Sequence, residues 1–226
     1  MGRIAIIGGT GPEGLGLGLR FAMCGEEVVF GSRQALRAVE AAQRATERLR
    51  EAGVTAVVRG AENQAAAQDA DMVVIATPFA GVSDLLPGLA PVLAGRDVVE
   101  VVNPLIRVSK QFTVERVPDG SAAEVIQKLL PQSRLVSAFK NESAELLNAI
   151  PQPVEGDVVV CSDHAEARAR VLALVERIPN YRGVDGGPLL NARSLESITA
   201  LLLNVNRRYH ALTSIRILGL PSRAPG

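Results

Sequence analysis

The chain has 226 residues, with 24 basic and 24 acidic side chains and a hydrophobic fraction of 47%. This length and apolar content suit one folded core with a small appendage, and they exclude a disordered chain. The zero formal charge and the low aromatic fraction of 3% argue against a nucleic-acid binder and against a membrane-surface protein. No apolar run reaches the roughly 20 residues of a membrane span.

The cysteines and histidines predict neither a metal site nor a catalytic group. Cys24 and Cys161 are far apart and in no metal-binding spacing, so we expect two buried free thiols in a reducing compartment and a cytoplasmic protein. His164 and His210, the two histidines, have no partner motif, and we expect each at the surface or at a helix end.

The first predicted element is a short buried strand that runs into a glycine-rich turn. Residues 4–7 are apolar and β-branched apart from one alanine, and a G-x-G-x-x-G pattern and a helix over residues 15–23 follow. The first glycine permits the turn, the second lets a pyrophosphate approach the backbone, and the third lets the helix pack on the strand. The helix N-terminus attracts the phosphates. The predicted cofactor-binding residues of this loop are Gly9, Thr10, Gly11, Pro12, Glu13 and Gly14.

The end of the second predicted strand, residues 27–30, indicates which dinucleotide binds. An NAD enzyme places an acidic residue here, about 20 residues after the fingerprint, whereas this chain has Gly31-Ser32-Arg33. Ser32 can donate a hydrogen bond, and Arg33 and Arg37, one helical turn apart, can pair with a 2′-phosphate near Thr10. The sequence therefore favours NADP(H). The plainer interpretation makes Ser32 a helix N-cap and puts both arginines on a solvated face.

The next elements alternate between helix and strand. We predict helices over residues 34–52, 61–68 and 82–93, the last interrupted by Pro87 and Pro91, and strands over 54–59, 71–76 and 97–102. This alternation predicts an α/β fold, a Rossmann-type doubly wound and mostly parallel sheet. Ligands of such sheets bind at the carboxyl ends of the strands. The cofactor-binding residues predicted there are Thr77, Pro78, Asn103 and Pro104.

The second half of the chain begins with residues 107–120, a loop that is either a lid or an ordinary surface loop. A helix over 121–130 with a capping box from Ser121 and Glu124, a strand over 134–139 and a helix over 142–150 follow. Pro151 and Pro153 then predict a boundary between an NADP-binding domain, 1–153, and a small C-terminal α/β subdomain, 154–226.

The predicted subdomain contains a strand over 157–161, a helix over 164–177 capped by Asp163, a strand over 181–184 and a long amphipathic helix over 191–212. The apolar face of the last helix belongs either to the core or to a dimer contact. A homodimer is therefore one expected assembly.

The sequence resembles the NADPH-dependent reductases of coenzyme F420, a deazaflavin hydride carrier, over nearly its whole length. The resemblance implies a Rossmann-type domain with a small C-terminal piece, and a deazaflavin stacked on the nicotinamide at the carboxyl edge of the sheet. The stretches that carry it are Gly8 to Gly11 with Gly14, Gly31-Ser32-Arg33, Asn103-Pro104-Leu105, Val136 to Phe139, Gly187 to Arg193 and Leu201 to Arg207.

The resemblance also assigns roles to single residues. Thr10, Ser32, Arg33 and Arg37 would hold the 2′-phosphate, and Pro78 with Asn103 and Pro104 would border the nicotinamide. Lys140 stands where some members carry histidine. Either a cation there stabilises negative charge on the deazaflavin or its phosphate tail, or Lys140 is an ordinary solvated lysine. The residues expected to bind the deazaflavin co-substrate or its acidic tail are Ala138, Phe139, Lys140, Asn141 and Arg207.

The implied function is hydride transfer between NADPH and coenzyme F420. Such chemistry needs placement of two cofactors more than acid–base groups, and the sequence contains no convincing catalytic constellation. Two alternatives remain open: another NADP-dependent reductase, of the imine or flavin–iron type, and a non-catalytic NADP-binding redox sensor.

Overall fold

The computed structural model describes residues 2–220. Strands and helices alternate along most of this range. In chain order the elements are β1 (Arg3–Ile7), α1 (Pro12–Met23), β2 (Glu27–Ser32), α2 (Ala35–Glu51), β3 (Val58–Glu62), α3 (Asn63–Gln68), β4 (Met72–Ile75), α4 (Val82–Leu93), β5 (Asp97–Glu100), β6 (Leu105–Val108), β7 (Gln111–Val114), α5 (Ala122–Leu129), β8 (Arg134–Ser137), α6 (Ala144–Asn148), β9 (Gly156–Val160), α7 (Ala165–Glu176), β10 (Tyr181–Asp185) and α8 (Ala192–Tyr209).

The central sheet has six parallel strands in the order β3-β2-β1-β4-β5-β8. In the middle of the sheet, Ile6 of β1 lies between Phe30 of β2 and Val74 of β4. This is the doubly wound order, which reverses direction between β1 and β4 and opens a ligand-binding crevice at the carboxyl ends there. The predicted fold class is confirmed.

Apolar side chains cover both faces of the sheet. Leu17, Phe21 and Phe30 belong to one buried cluster, and that cluster extends into β9 and α7 through Val158 and Val171. Two main-chain hydrogen bonds also join the C-terminal segment to the main sheet. They are exchanged by Ser137 and Cys161, which form an isolated antiparallel bridge. The segment after residue 153 therefore shares a core with the sheet, and the boundary at that position stays a prediction.

The third strand begins later than predicted. Residues 54–57 are not strand, and β3 pairs with β2 over Val58–Glu62. Gly60 lies inside this strand because α2 packs directly on it, and a Cβ there would be 2.2 Å from the carbonyl carbon of Ala38. A glycine demanded by packing weakens the local strand signal, which explains why the strand was predicted to end at residue 59.

Helix α4 is continuous, although we expected an interruption at Pro87 and Pro91. Both prolines lie inside it. The helix buries Leu86 and Leu93 against the sheet, and this packing holds it together through two positions that lack an N–H donor.

The predicted loop over 107–120 contains a β-hairpin, β6 and β7, joined by Ser109 and Lys110. Both turn residues have positive φ, 46° and 71°, as a two-residue type I′ turn requires. Asn-Gly or Asp-Gly is the usual signal for that turn, and Ser-Lys does not provide it.

The cap of α7 also differs from the prediction. His164 is its N-cap, whereas Asp163 accepts a hydrogen bond from the main-chain N–H of Leu189 at 3.1 Å. Ser121 is confirmed as the N-cap of α5, because its Oγ accepts from the N–H of Glu124 and donates to the Glu124 carboxylate. Within residues 2–220, no helix is long and apolar enough to cross a membrane.

Candidate cofactor site

The glycine-rich loop between β1 and α1 has the shape that its sequence predicts, with one change. Gly8, not Gly9, is the left-handed residue of the turn, with φ of 79°. Gly9 is needed for packing, since a Cβ on it would be 2.5 Å from the Phe30 ring. A Cβ on Gly14 would also clash, at 2.9 Å from the Gly8 oxygen. Side chains at either position would push α1 off the strand.

Gly11 faces open space instead. A Cβ built there would meet only the Gly8 oxygen, at 3.4 Å. Pro12 occupies the first turn of α1, and the N-cap residue Gly11 makes no side-chain hydrogen bond. The main-chain N–H groups at this helix start are thus left for a ligand, and they present the positive end of the helix dipole. An anionic pyrophosphate fits this cradle.

The residues predicted to hold a 2′-phosphate follow two neighbouring strands: Thr10 comes after β1, and Ser32, Arg33 and Arg37 lie at and beyond the end of β2. Thr10, Arg33 and Arg37 are exposed, and neither arginine has an acidic partner within the described part of the chain. Ser32 is nearly buried and its Oγ accepts from the N–H of Gln34 at 3.2 Å. Gln34 is the N-cap of α2, so Ser32 supports the helix start without being its cap. Two unpaired guanidinium groups suit a phosphate dianion.

A cavity of about 560 Å³ opens beside this loop. Its walls come from the start of α1, the carboxyl ends of β4, β5 and β8, and the C-terminal half of α8. Thr77 and Pro78 form part of the wall after β4, and the Thr77 hydroxyl is shielded from solvent without a hydrogen-bond partner among residues 2–220. A buried hydroxyl of this kind is suited to a polar ligand group.

Asn103, after β5, connects the cavity wall to α8. Its Nδ2 donates to the Lys140 oxygen at 2.9 Å, and its Oδ1 accepts from Thr199 Oγ1 at 3.2 Å. Asn141 donates to the Leu195 oxygen at 2.8 Å. These bonds fix the distance between the sheet edge and α8. They give Asn103 and Asn141 a positioning role that the sequence did not indicate.

Pro104, predicted to border the nicotinamide, and Ala138, predicted to bind the deazaflavin, do not line the cavity. Pro104 is buried, and its oxygen accepts from the N–H of Glu115 at 2.7 Å, which supports the hairpin. Ala138 is fully buried in the core. Phe139 lines the cavity, but its ring packs edge-on against Phe21 with centroids 5.6 Å apart. Its positive φ of 55° marks a strained turn, as binding sites often contain.

The Lys140 side chain is not solvated, and its predicted effect on the deazaflavin stays a prediction. Its ammonium group is fully buried, 2.9 Å from Glu100 and 3.1 Å from Glu196, and it also donates to the Val102 oxygen. It therefore joins β5 to α8 through two buried ion pairs. Burial raises the pKa of Glu196 to about 6, and the Lys140 charge opposes this effect.

Two side chains of α8 attach the hairpin by hydrogen bonds to its main chain. Asn204 both accepts from the N–H and donates to the oxygen of Phe112, each at 2.8 Å. Arg207 donates to the Lys110 oxygen, and its side chain is exposed. The predicted contact of Arg207 with an acidic tail stays a prediction.

Sequence reasoning placed Glu13 in the phosphate loop but missed Glu142, which lines the same cavity. Glu13 and Glu142 both line it, and the Tyr181 hydroxyl bonds to the Glu142 carboxylate. Burial raises the pKa of Glu142 to about 7, and burial together with the Glu142 charge raises that of Glu13 to about 8. Glu142 comes 129 positions after Glu13 in the sequence, and no local pattern pairs them.

The sheet order, the open glycine cradle and the two exposed arginines after β2 define a Rossmann-type dinucleotide-binding protein. Helix α8 supplies a second wall of its cavity. A sequence model of the family described as coenzyme F420-dependent NADP oxidoreductase matches residues 3–104. The F420-dependent NADP reductase of Methanocaldococcus jannaschii is 38% identical over 221 residues, which is 96% of this chain and 99% of that protein.

Two further relatives agree with this match. The F420-dependent NADP reductase of Methanothermobacter marburgensis is 37% identical over 97% of this chain and 99% of its own length. The crystal structure of a putative F420-dependent NADP reductase from Arthrobacter sp. FB24 superposes with a TM-score of 0.78 and 26% identity, covering 95% of this chain and 98% of that one. The chain belongs to the family of F420-dependent NADP reductases.

Proposed function

We propose that this protein is an NADP-dependent oxidoreductase that transfers a hydride between NADPH and the deazaflavin coenzyme F420. The observation that carries this proposal is the near full-length similarity to F420-dependent NADP reductases. The cavity between the glycine-rich loop and α8 supports it, since its volume of about 560 Å³ gives room for two rings face to face.

The chain's own residues bind and orient the two cofactors. The loop from Gly9 to Gly14 holds the pyrophosphate of NADP(H), and Arg33 with Arg37 binds the 2′-phosphate. Pro78 would border the nicotinamide, and the turn from Phe139 to Asn141 would face the deazaflavin in the cavity. The bound cofactors supply the hydride donor and acceptor, while the protein fixes their approach and excludes water.

Domain organisation and assembly are part of the same proposal. Residues 1–153 act as the NADP-binding domain, and 154–226 complete the deazaflavin site. Leu201 and Tyr209 of α8 are 59% and 71% exposed, which supports a homodimer that covers them. Sedimentation of a clean monomer at high concentration would rule this dimer out. Two free cysteines support a cytoplasmic location.

The proposed function is tested by mixing the purified protein with oxidised coenzyme F420 and either NADPH or NADH. Bleaching of the deazaflavin visible band with NADPH, and little with NADH, is the expected result. No bleaching with NADPH would refute the function.

Arg33→Ala tests the cofactor assignment within this assay. Loss of a charge-assisted bond of about 1.5–3 kcal/mol should raise KM for NADPH by roughly 10- to 100-fold, with little change for NADH. Arg44→Ala is the matched control, because Arg44 is also exposed on α2 but lies two turns from Arg37. Equal effects of Arg33→Ala on both nucleotides would remove the 2′-phosphate assignment.

A further inference from the structure

The acids Glu13 and Glu142 are unexpected in a cavity whose proposed chemistry is hydride transfer. Glu13 is the second residue of α1, inside the glycine-rich fingerprint, and Glu142 lies in the turn after β8. Both line the cavity. Oε1 of Glu13 is shielded from solvent and has no hydrogen-bond partner among residues 2–220.

The charged groups around the two acids do not neutralise them. Arg20 lies two turns after Glu13 in α1. It donates to the main-chain oxygens of Leu147, Gln152 and Leu146 at 2.9, 2.7 and 2.7 Å. Lys140 is engaged by Glu100 and Glu196. No ion pair joins either acid to a cation in the described range.

The other titratable neighbours add negative charge or a hydrogen bond. Asp157 of β9 repels a charge on Glu142, and the Tyr181 hydroxyl of β10 donates to it. Two neighbouring carboxyl groups in a poorly solvated site do not both ionise near neutral pH, so they bind a proton as a pair. The raised pKa values of both groups, about 8 and about 7, agree with one retained proton.

We propose that Glu13 and Glu142, which line the same cavity, together retain one proton and deliver it to the deazaflavin when NADPH reduces it. This inference rests on the proposed function. Reduction consumes one proton: NADPH, oxidised deazaflavin and a proton yield NADP⁺ and reduced deazaflavin. The nicotinamide C4 loses the hydride, the deazaflavin ring carbon gains it, and the O–H bond of the acid pair breaks as a ring nitrogen of the deazaflavin takes the proton.

The exchange leaves the net charge of the site unchanged. Loss of the hydride leaves a positive charge on the nicotinamide ring, and loss of the proton leaves a negative charge on the acid pair. Solvent then returns the proton to the pair.

The first test measures the shared proton without turnover. Protein labelled with ¹³C at glutamate side-chain carboxyl carbons is titrated by NMR in the absence of both cofactors. We expect one carboxyl resonance to titrate near pH 8 and to be absent from Glu13→Gln. In Glu142→Gln the Glu13 resonance should titrate at lower pH, because the neighbouring charge is gone. Two carboxylates fully ionised at pH 7 would overturn the proposal.

The second test measures delivery. Single-turnover bleaching of the deazaflavin by NADPH should slow as the pH rises through about 8 in the wild-type protein. Glu13→Gln should be slower by about 100-fold, the lower range for loss of general acid catalysis, and should lack this pH dependence. Glu142→Gln should move the pH dependence to lower values. Glu47→Gln, at an exposed position of α2, should behave as wild type.

The outcomes separate the two proposals. A Glu13→Gln variant that binds NADPH and bleaches the deazaflavin at the wild-type rate across this pH range would overturn proton delivery and leave the proposed function intact. A wild-type protein that binds NADPH but never bleaches the deazaflavin would refute the function, and proton delivery with it, whatever the NMR titration shows.

Discussion

Replacing Lys140 with Met would remove the cation that Glu100 and Glu196 share. The side chains of all three residues are 0 to 1% exposed, and the two ammonium–carboxylate distances are 2.9 and 3.1 Å. Methionine fills a similar volume but leaves two carboxyl groups without a counter-charge. Breaking a buried ion pair by removing one partner costs about 3–5 kcal/mol. Lys140→Met should therefore be strongly destabilising at a pH where both carboxyls would ionise.

The size of this effect should depend on pH in a defined direction. Keeping a carboxyl protonated costs about 1.4 kcal/mol for each pH unit above its unfolded pKa of about 4.3, so about 5 kcal/mol at pH 8 and about 1.6 kcal/mol at pH 5.5. The wild-type pKa of Glu196 is already raised, to about 6. A carboxyl with a raised folded pKa loses stability as pH rises from the unfolded value through the folded one, and the variant extends that loss to higher pH.

Urea unfolding followed by circular dichroism, at pH 5.5 and pH 8, measures this difference. We expect Lys140→Met to lower the free energy of unfolding by about 3–5 kcal/mol at pH 8 and by about 1–2 kcal/mol at pH 5.5. Lys128→Met is the matched control: this lysine is 67% exposed and pairs with Asp119, so its loss should change stability by less than about 1 kcal/mol. Equal losses at both pH values would refute the reasoning.

Three smaller predictions concern stability and local order. Asn204→Ala should speed amide hydrogen exchange in the hairpin, because both main-chain bonds to Phe112 disappear; unchanged exchange would contradict this anchoring. Ser121→Ala should lower the free energy of unfolding by about 1 kcal/mol through loss of the helix cap, as a thermal melt would reveal. Burial raises the pKa of Asp97, but bonds from Arg170 and a second arginine hold it below its usual range. Asp97→Asn should therefore destabilise at pH 7, and this effect should be lost as the pH falls from the unfolded pKa of about 3.9 through the lower folded pKa; a pH-independent effect would argue against the ion pairs.

The elements that the sequence predicted well are those with short-range signals. The Rossmann fingerprint needs a strand, three glycines and a helix within about 20 residues, and each glycine follows from a local steric demand. The Ser32–Arg33 pair sits at a fixed offset from that fingerprint. The alternation of strands and helices then predicts a mostly parallel, doubly wound sheet.

The elements that it missed depend on contacts between distant residues. Ser109 and Lys110 adopt left-handed conformations that their residue types do not favour, and the hairpin is held by Asn204, 92 positions from Phe112. Gly60 is a strand residue because α2 lies on it. In each case the tertiary packing overrides a weak local preference.

The same distinction applies to the site. The sequence by itself determined the fold class, the phosphate cradle and the preference for NADP(H), because backbone sterics and helix dipoles act within a few residues. It also placed Lys140 at a strand's carboxyl end. Only the tertiary structure decided that this ammonium points to Glu196, 56 positions away, and that Glu13 meets Glu142 at one cavity. Charge pairing is decided by distance in space and by burial, and neither is encoded in spacing along the chain.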